Sequence, residues 1–205
     1  LSLEGRKMST SKNWVIWVSD FVKDFDSDLL RYYLTINAPL NKDTDFSWDD
    51  FQRRVNDELA DVLGNFLHRT FTFTHKFFDG KVPEYKNPSE EDIKFEKLCK
   101  QLPETEKNYI NDFKFREGLV EIFKVAKTAN KYFNDQEPWK AIKEEPQKAA
   151  NTVYLCDQLA KSLATLLKPY IPRTADKIAK TVNIENNDIW DKATEYLPTG
   201  HEINK

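Results

Sequence analysis

Four places along the chain hold side chains that could do chemistry. Near the start, Gly5 is followed by Arg6, Lys7, Ser9, Thr10, Ser11 and Lys12. Cations and small hydroxyls in a loop suit a polyphosphate, because lysine supplies charge while hydroxyls and free backbone N–H groups supply hydrogen bonds. A polar surface loop has the same composition. Asn65 and Arg69 stand four apart, hence side by side on a helix. An amide and a guanidinium there could work a groove between helices, or form a solvated rim. Trp139 follows Pro138 at a corner between two helical patterns. It could plug the core or offer a flat face to a nucleobase. Arg116, Lys124, Lys127 and Lys131 make a basic stripe, which reads as a phosphate track or as a solvated helix face.

Other chemistries are excluded by type and spacing. His68, His75 and His201 form no metal spacing and no triad. Cys99 and Cys156 lie 57 apart with no CxxC pattern, so they read as buried free thiols and not as a zinc knuckle. Thirty-one Lys and Arg against 34 Asp and Glu leave a net charge of -3, so RNA contact must come from local patches and shape. With 40% hydrophobic and 32% charged residues the composition is that of a soluble globular chain. No apolar run reaches membrane-spanning length and no signal peptide is visible, so a cytoplasmic setting is expected.

The elements that must position these residues are mainly helical. The longest pattern runs from Ser47 to Phe78, with Phe51, Val55, Leu59, Val62, Leu63, Phe66, Phe73 and Phe77 on one stripe. Ser47 and Asp50 read as its capping box. Asn65 and Arg69 fall at the stripe's edge. Before it, Trp14 to Val18 predicts a short buried strand. A short helix through Phe25 follows, then a helix capped by Asp26 or Ser27 and ended by Pro39. In that second helix Arg31, Tyr32 and Tyr33 could reach RNA backbone, although amphipathic packing explains the tyrosines. A loop over Asn41 to Asp45 leads to the long helix.

After Asp79-Gly80, Ser89 with Asp92 opens a helix that Pro103 kinks or splits before Tyr109, Ile110 and Phe113. Next, Leu119, Ile122, Phe123, Ala126, Ala129 and Phe133 share one face. Pro138 fits the first turn of a short helix and Pro146 that of the last long one, whose core face runs from Val153 through Leu167. Pro169 and Pro172 close it, and a shorter helix spans Arg173 to Val182. Trp190, Tyr196 and Leu197 are expected to pin the irregular tail. The fold class is an antiparallel helical bundle preceded by a small α/β segment. Its expected divisions are 1–46, 47–182 and 183–205.

Leu3-Glu4-Gly5-Arg6-Lys7-Met8-Ser9-Thr10-Ser11-Lys12-Asn13 resembles the KMSKS signature of class I aminoacyl-tRNA synthetases. Phe25-Asp26-Ser27-Asp28-Leu29-Leu30-Arg31-Tyr32-Tyr33 resembles the stem-contact segment that follows it. Gly64-Asn65-Phe66-Leu67-His68-Arg69, Ala129-Asn130-Lys131-Tyr132-Phe133 and Glu137-Pro138-Trp139 resemble the anticodon-binding bundle of the methionyl-tRNA synthetases. The likeness covers nearly the whole chain in order.

That resemblance implies a ligase that activates methionine with ATP, accompanied by Mg2+, and passes it to the methionine tRNA. Lys7, Met8, Ser9, Thr10 and Ser11 would form the ATP loop, with Lys7 catalytic by stabilising charge on the phosphates. Thr10 stands where the family usually has a second lysine, and a neutral hydroxyl cannot supply that charge. Lys7, or Lys12 just beyond, then carries more of it. Asn65, Arg69, Pro138 and Trp139 would read the first base of the CAU anticodon. The family's HIGH motif, methionine pocket and zinc-bearing insertion lie upstream of the part matched here. The chain is therefore expected to be a piece of a longer protein, inactive alone, with its nucleotide-binding domain as partner. Competing readings are a same-class synthetase for isoleucine, valine, leucine or cysteine, and a non-catalytic tRNA-binding helical module.

Overall fold

The structure, a computed structural model, describes residues 1–38 and 43–205. The expected helix stop at Pro39 and the start of the loop at Asn41 lie outside the described residues. Nine α-helices are described: α1 Val18–Asp24, α2 Ser27–Ile36, α3 Trp48–Arg54, α4 Asn65–Phe77, α5 Glu90–Asn111, α6 Phe115–Gln136, α7 Pro138–Glu144, α8 Pro146–Leu166 and α9 Pro172–Thr181. A three-stranded sheet of order β2-β1-β3 joins Ser2–Leu3 (β1), antiparallel to Arg6–Lys7 (β2) and parallel to Asp45–Phe46 (β3).

The expected fold class holds: a helical bundle follows a small mixed segment. Around α8, helices α4, α5 and α6 close the main core. Glu106 faces Gly118 while Asp92 bonds Tyr132, so α5 and α6 run antiparallel. Leu155, Leu159, Leu163 and Leu166 of α8 are buried, as are Leu119, Ile122, Phe123, Ala126, Ala129 and Phe133 of α6. The predicted apolar face of α6 is therefore the observed one, while α8 buries its predicted face and, beyond it, Leu155 and polar residues such as Asp157, Gln158 and Ser162. Both cysteines are buried and unpaired, and burial pushes their thiols up. Ser89 and Asp92 form a full capping box at α5. A second, smaller core of Leu3, Phe21, Leu30, Tyr33, Phe46 and Phe51 holds the front segment.

Four expectations need correction. Residues 14–18 form no strand. Trp14 makes an isolated bridge to Ser9 and its indole N–H donates to the carbonyl of Leu3 at 3.0 Å, while Val18 already begins α1. The sheet is completed by 2–3, 6–7 and 45–46, and the 14–18 run pairs with none of them. The predicted helix from Ser47 to Phe78 is interrupted by a π-helical segment, Val55–Gly64, which rotates α4 relative to α3. Val55, Leu59 and Val62 are only partly buried in consequence. The Ser47 side chain caps nothing; Asp50 instead pairs with Arg53 and Arg54 and accepts from the Tyr33 hydroxyl at 3.0 Å. Finally, of the two outcomes expected at Pro103 the split does not occur, since α5 continues through this buried residue, and Phe113 is 81% exposed beyond its end.

Two partnerships join the front segment to the bundle. Arg31 donates from Nε to the carbonyl of Tyr170 at 2.8 Å and from Nη2 to that of Pro169 at 2.7 Å. Asp28 accepts the backbone N–H of Thr174 at 2.6 Å, where a carboxylate meets the positive end of α9. Pro172 thus opens α9 and does not merely close α8. Tyr32 and Tyr33 are buried, so the packing explanation of these residues prevails over RNA contact. The tail is tied to α8. Gln158 exchanges two hydrogen bonds with the backbone of Leu197, Ser162 donates to the carbonyl of Ala193, and the Lys161 ammonium meets the carbonyls of Lys192 and Glu195.

Candidate nucleic-acid interface

The corner between α6 and α7 is built by three residues of different kinds. Glu137 takes a left-handed conformation, φ 46°, which ends α6. Pro138 then supplies the first turn of α7, where its missing N–H costs nothing. Its ring is buried under the corner, and the next side chain, Trp139, is driven outward, 42% exposed.

α4 lies beside the end of α6 and brings Arg69 to the same place. Its guanidinium carbon sits 4.7 Å from the Phe133 ring centroid and 5.9 Å from that of Trp139. Nη2 donates to the Asn134 side-chain oxygen at 2.7 Å. An arginine so placed has its plane fixed by one amide and one phenyl ring, with further N–H donors still available. The Phe133 and Trp139 rings are 6.4 Å apart and tilted by 31°. Together with His68, Thr72, Phe73, Lys76 and Phe77 they line a hollow of about 280 Å³. Drug-sized ligands occupy ~300–1,000 Å³, so this is room for one planar ring.

Of the four residues expected from the sequence, Arg69 and Trp139 share that hollow, and Pro138 sets the angle of Trp139 from beneath. Asn65 does not line it. It stands one turn earlier on α4, exposed, with its amide donating to Asn130 at 3.2 Å. Asn130 in turn donates to the carbonyl of Val62 at 2.8 Å, within the π-helical segment. The sequence reading singled out neither Asn134 nor Lys76; it placed Phe77 and Phe133 on apolar faces, and Phe133 is indeed buried, with its ring turned to Arg69. Asn134 was findable: Asn130 and Asn134 repeat the four-residue spacing of Asn65 and Arg69, and the two helices pair rung for rung.

Three of the four cations in the basic stripe on α6 are engaged within the fold, and Lys127 is exposed, as on a solvated helix face. Arg116 donates to the carbonyl of Ile36 at 2.9 Å, Lys124 pairs with Glu121 at 3.0 Å and Lys131 with Asp135 at 3.2 Å.

At the other end of the chain, Lys7 ends β2 and is exposed. The bridge between Ser9 and Trp14 closes a loop over Thr10 to Asn13, and the Ser9 and Ser11 hydroxyls lie 3.1 Å apart. Arg6 stacks on the Trp14 ring at 5.2 Å, so it braces the loop. Among the described residues no group of three or more His, Cys, Asp or Glu could hold a metal ion. The loop's lysine and hydroxyls are donors suited to phosphate oxygens.

A bundle carrying an outward tryptophan, with a polar loop on a small front sheet, agrees with the class I tRNA synthetase that the sequence resembles. Comparison bears this out: the sequence model of tRNA synthetases class I (M) matches residues 1–71. That of the anticodon binding domain of methionyl tRNA ligase matches residues 82–205, more than half of the chain, and the chain belongs to this family.

The chain is 71% identical over all of its length to a methionine–tRNA ligase of Methanobrevibacter smithii and 58% identical to one of Methanosphaera stadtmanae. It spans 31% and 32% of those proteins, about a third of their length. Among solved structures, Mycobacterium tuberculosis methionyl-tRNA synthetase in complex with methionyl-adenylate superposes with a TM-score of 0.90 at 25% identity, over 98% of this chain and 41% of that one. No described helix is long and apolar enough to cross a membrane.

Proposed function

We propose that this chain is the tRNA-reading part of a methionine–tRNA ligase. The whole protein would join methionine to ATP, releasing pyrophosphate, and then transfer the methionyl group to its tRNA. The observation that carries the reading is the hollow in which Arg69 and Trp139 meet across α4, α6 and α7. The ligase relatives and the family match support methionine over the other amino acids of the class.

The first anticodon base, a cytosine, stacks on the Trp139 indole. Such stacking is worth ~1–3 kcal/mol per base and needs the base splayed out of a single-stranded loop. Arg69 donates to the acceptors of the cytosine edge. Its orientation is set in advance by Asn134 and Phe133, which reduces the entropy lost on binding. Asn65, one turn away, addresses the exocyclic amine from the rim or the adjoining backbone. In the front loop Lys7 places a full positive charge against the ATP phosphates, with Ser9, Thr10 and Ser11 as hydrogen-bond donors. Mg2+ would accompany the nucleotide.

Trp139→Ala in the full-length enzyme tests the reading. Charging of the methionine tRNA should fall by about tenfold or more in kcat/KM, while methionine activation, followed by pyrophosphate exchange, stays within about twofold. Equal loss of both would overturn it.

A further inference from the structure

The front segment, with its polar loop, and the bundle, with its hollow, meet at a corner. There residues 167–171 turn the chain from α8 into α9. Arg31 of α2 grips this corner, donating to the carbonyls of Pro169 and Tyr170 at 2.7 and 2.8 Å. Asp28, a turn earlier on α2 and 3% exposed, accepts the Thr174 N–H at 2.6 Å. We propose that this clamp is a positioning device for the transfer step: Arg31 and Asp28 set the angle at which the bundle holds the anticodon while the front segment works towards the other end of the same tRNA. This rests on the reading given above for the hollow.

Three observations carry it. The first is that apolar contact alone leaves the angle loose. α2 lends Leu30 and Tyr33 to the small front core and Tyr32 and Ile36 to the main one, so it is wedged between the two. Apolar burial is non-directional, whereas a guanidinium held on two successive carbonyls fixes direction as well as distance.

The second is leverage. α6 starts beside α2, where Arg116 donates to the carbonyl of Ile36 at 2.9 Å, and ends at the Trp139 corner. Its 22 residues span about 33 Å at the usual rise, so a rotation of about 3° at the clamp moves the far end by about 1.7 Å. A reacting group misplaced by about 1 Å can lose up to ~10²-fold in rate. Two sites on one stiff RNA reinforce each other only where the protein lets both be filled together. The third is that the corner is backed from behind. The Tyr170 hydroxyl donates to the buried Glu106 of α5, so Arg31 holds a turn anchored in the middle of the bundle and not a free loop.

The test uses the full-length enzyme with Arg31→Met, which keeps the packing of the stem and removes both hydrogen bonds, and with Asp28→Ala. Four quantities are read: kcat/KM for charging the whole methionine tRNA, the same for a hairpin of its acceptor stem alone, pyrophosphate exchange, and affinity for the anticodon stem-loop. Charging of the whole tRNA should fall by about tenfold in both variants, with the other three within about twofold of the parent. If Asp28→Ala fails to fold, Asp28→Asn takes its place. Its amide oxygen still accepts the Thr174 N–H but brings no charge to the positive end of α9, and the loss should be about threefold.

Whole-tRNA charging that stays within twofold of the parent would overturn the clamp, as would hairpin charging that falls in parallel with it. So would a loss in Arg31→Met with none at position 28, the pattern of an arginine that touches RNA directly, since the Asp28 carboxylate is buried and touches none. A parent enzyme that charges the hairpin as well as the whole tRNA would instead sink the reading on which the clamp rests.

Discussion

Glu106→Gln should make the stability of the fold less sensitive to pH by a calculable amount. Glu106 lies on α5 with no exposed surface, in line with Phe95, Cys99 and Leu102. Its Oε1 accepts from the Tyr170 hydroxyl, while Oε2 has no partner among the described residues. Burial, opposed by that hydrogen bond and assisted by the charge of Glu121, moves the carboxyl from 4.5 to about 7. The unfolded chain loses this proton near its ordinary value, and the folded chain keeps it until about 7. Between the two the folded state binds more protons, so the stability contributed is fully present below 4.5 and is lost as pH rises through 7. At about 1.4 kcal/mol per pKa step the loss is about 3 kcal/mol.

Glutamine keeps an acceptor for Tyr170 and cannot ionise. Urea denaturation of both chains from pH 4.5 to pH 8 gives the difference in unfolding free energy at each pH, in which all other titrating groups cancel. The variant should gain on the parent by about 3 kcal/mol across that span, whatever its offset at pH 4.5. A difference that stays flat within the error of extrapolation would refute the assignment of a buried, late-titrating carboxyl here.

Gly118→Ala presses on the same network, because the new Cβ would lie 2.5 Å from Glu106 Oε1 and 2.6 Å from the Tyr170 hydroxyl. Despite alanine's better helix propensity, thermal melting should show a loss of ~1–3 kcal/mol. Leu163→Ala, at a fully buried position of α8, should cost ~2–5 kcal/mol in urea titration through the cavity it leaves. Lys7→Ala in the full-length enzyme should slow pyrophosphate exchange by about tenfold or more and leave anticodon stem-loop affinity within about twofold, since Lys7 lies in the front loop and not in the hollow.

Where one apolar face meets one core, the sequence sufficed. α6 and α8 bury the residues their periodicity selects, and Ser89, Pro138 and Pro146 start their helices for local reasons visible in the chain. The π-helical turn over Val55–Gly64 was not legible, since a stripe counted at 100° per residue does not reveal a widened coil. Trp14 to Val18 has strand composition, but a strand needs a neighbouring edge, which is a tertiary fact. In the candidate site, the corner at Pro138 and the prominence of Trp139 follow from local backbone rules. The bracing of Arg69 by Asn134 and Phe133 depends on the alignment of two helices that are 65 residues apart along the chain. The diversion of Asn65 to Asn130 depends on the same alignment.

The central claim is that Trp139 presents its ring to an anticodon base. Titrating the full-length enzyme with a CAU anticodon stem-loop while following tryptophan fluorescence tests this most directly, with Trp139→Phe as the reference. The account predicts quenching in the parent that is absent from the phenylalanine variant. The same quenching in both, or binding with none in either, would contradict it.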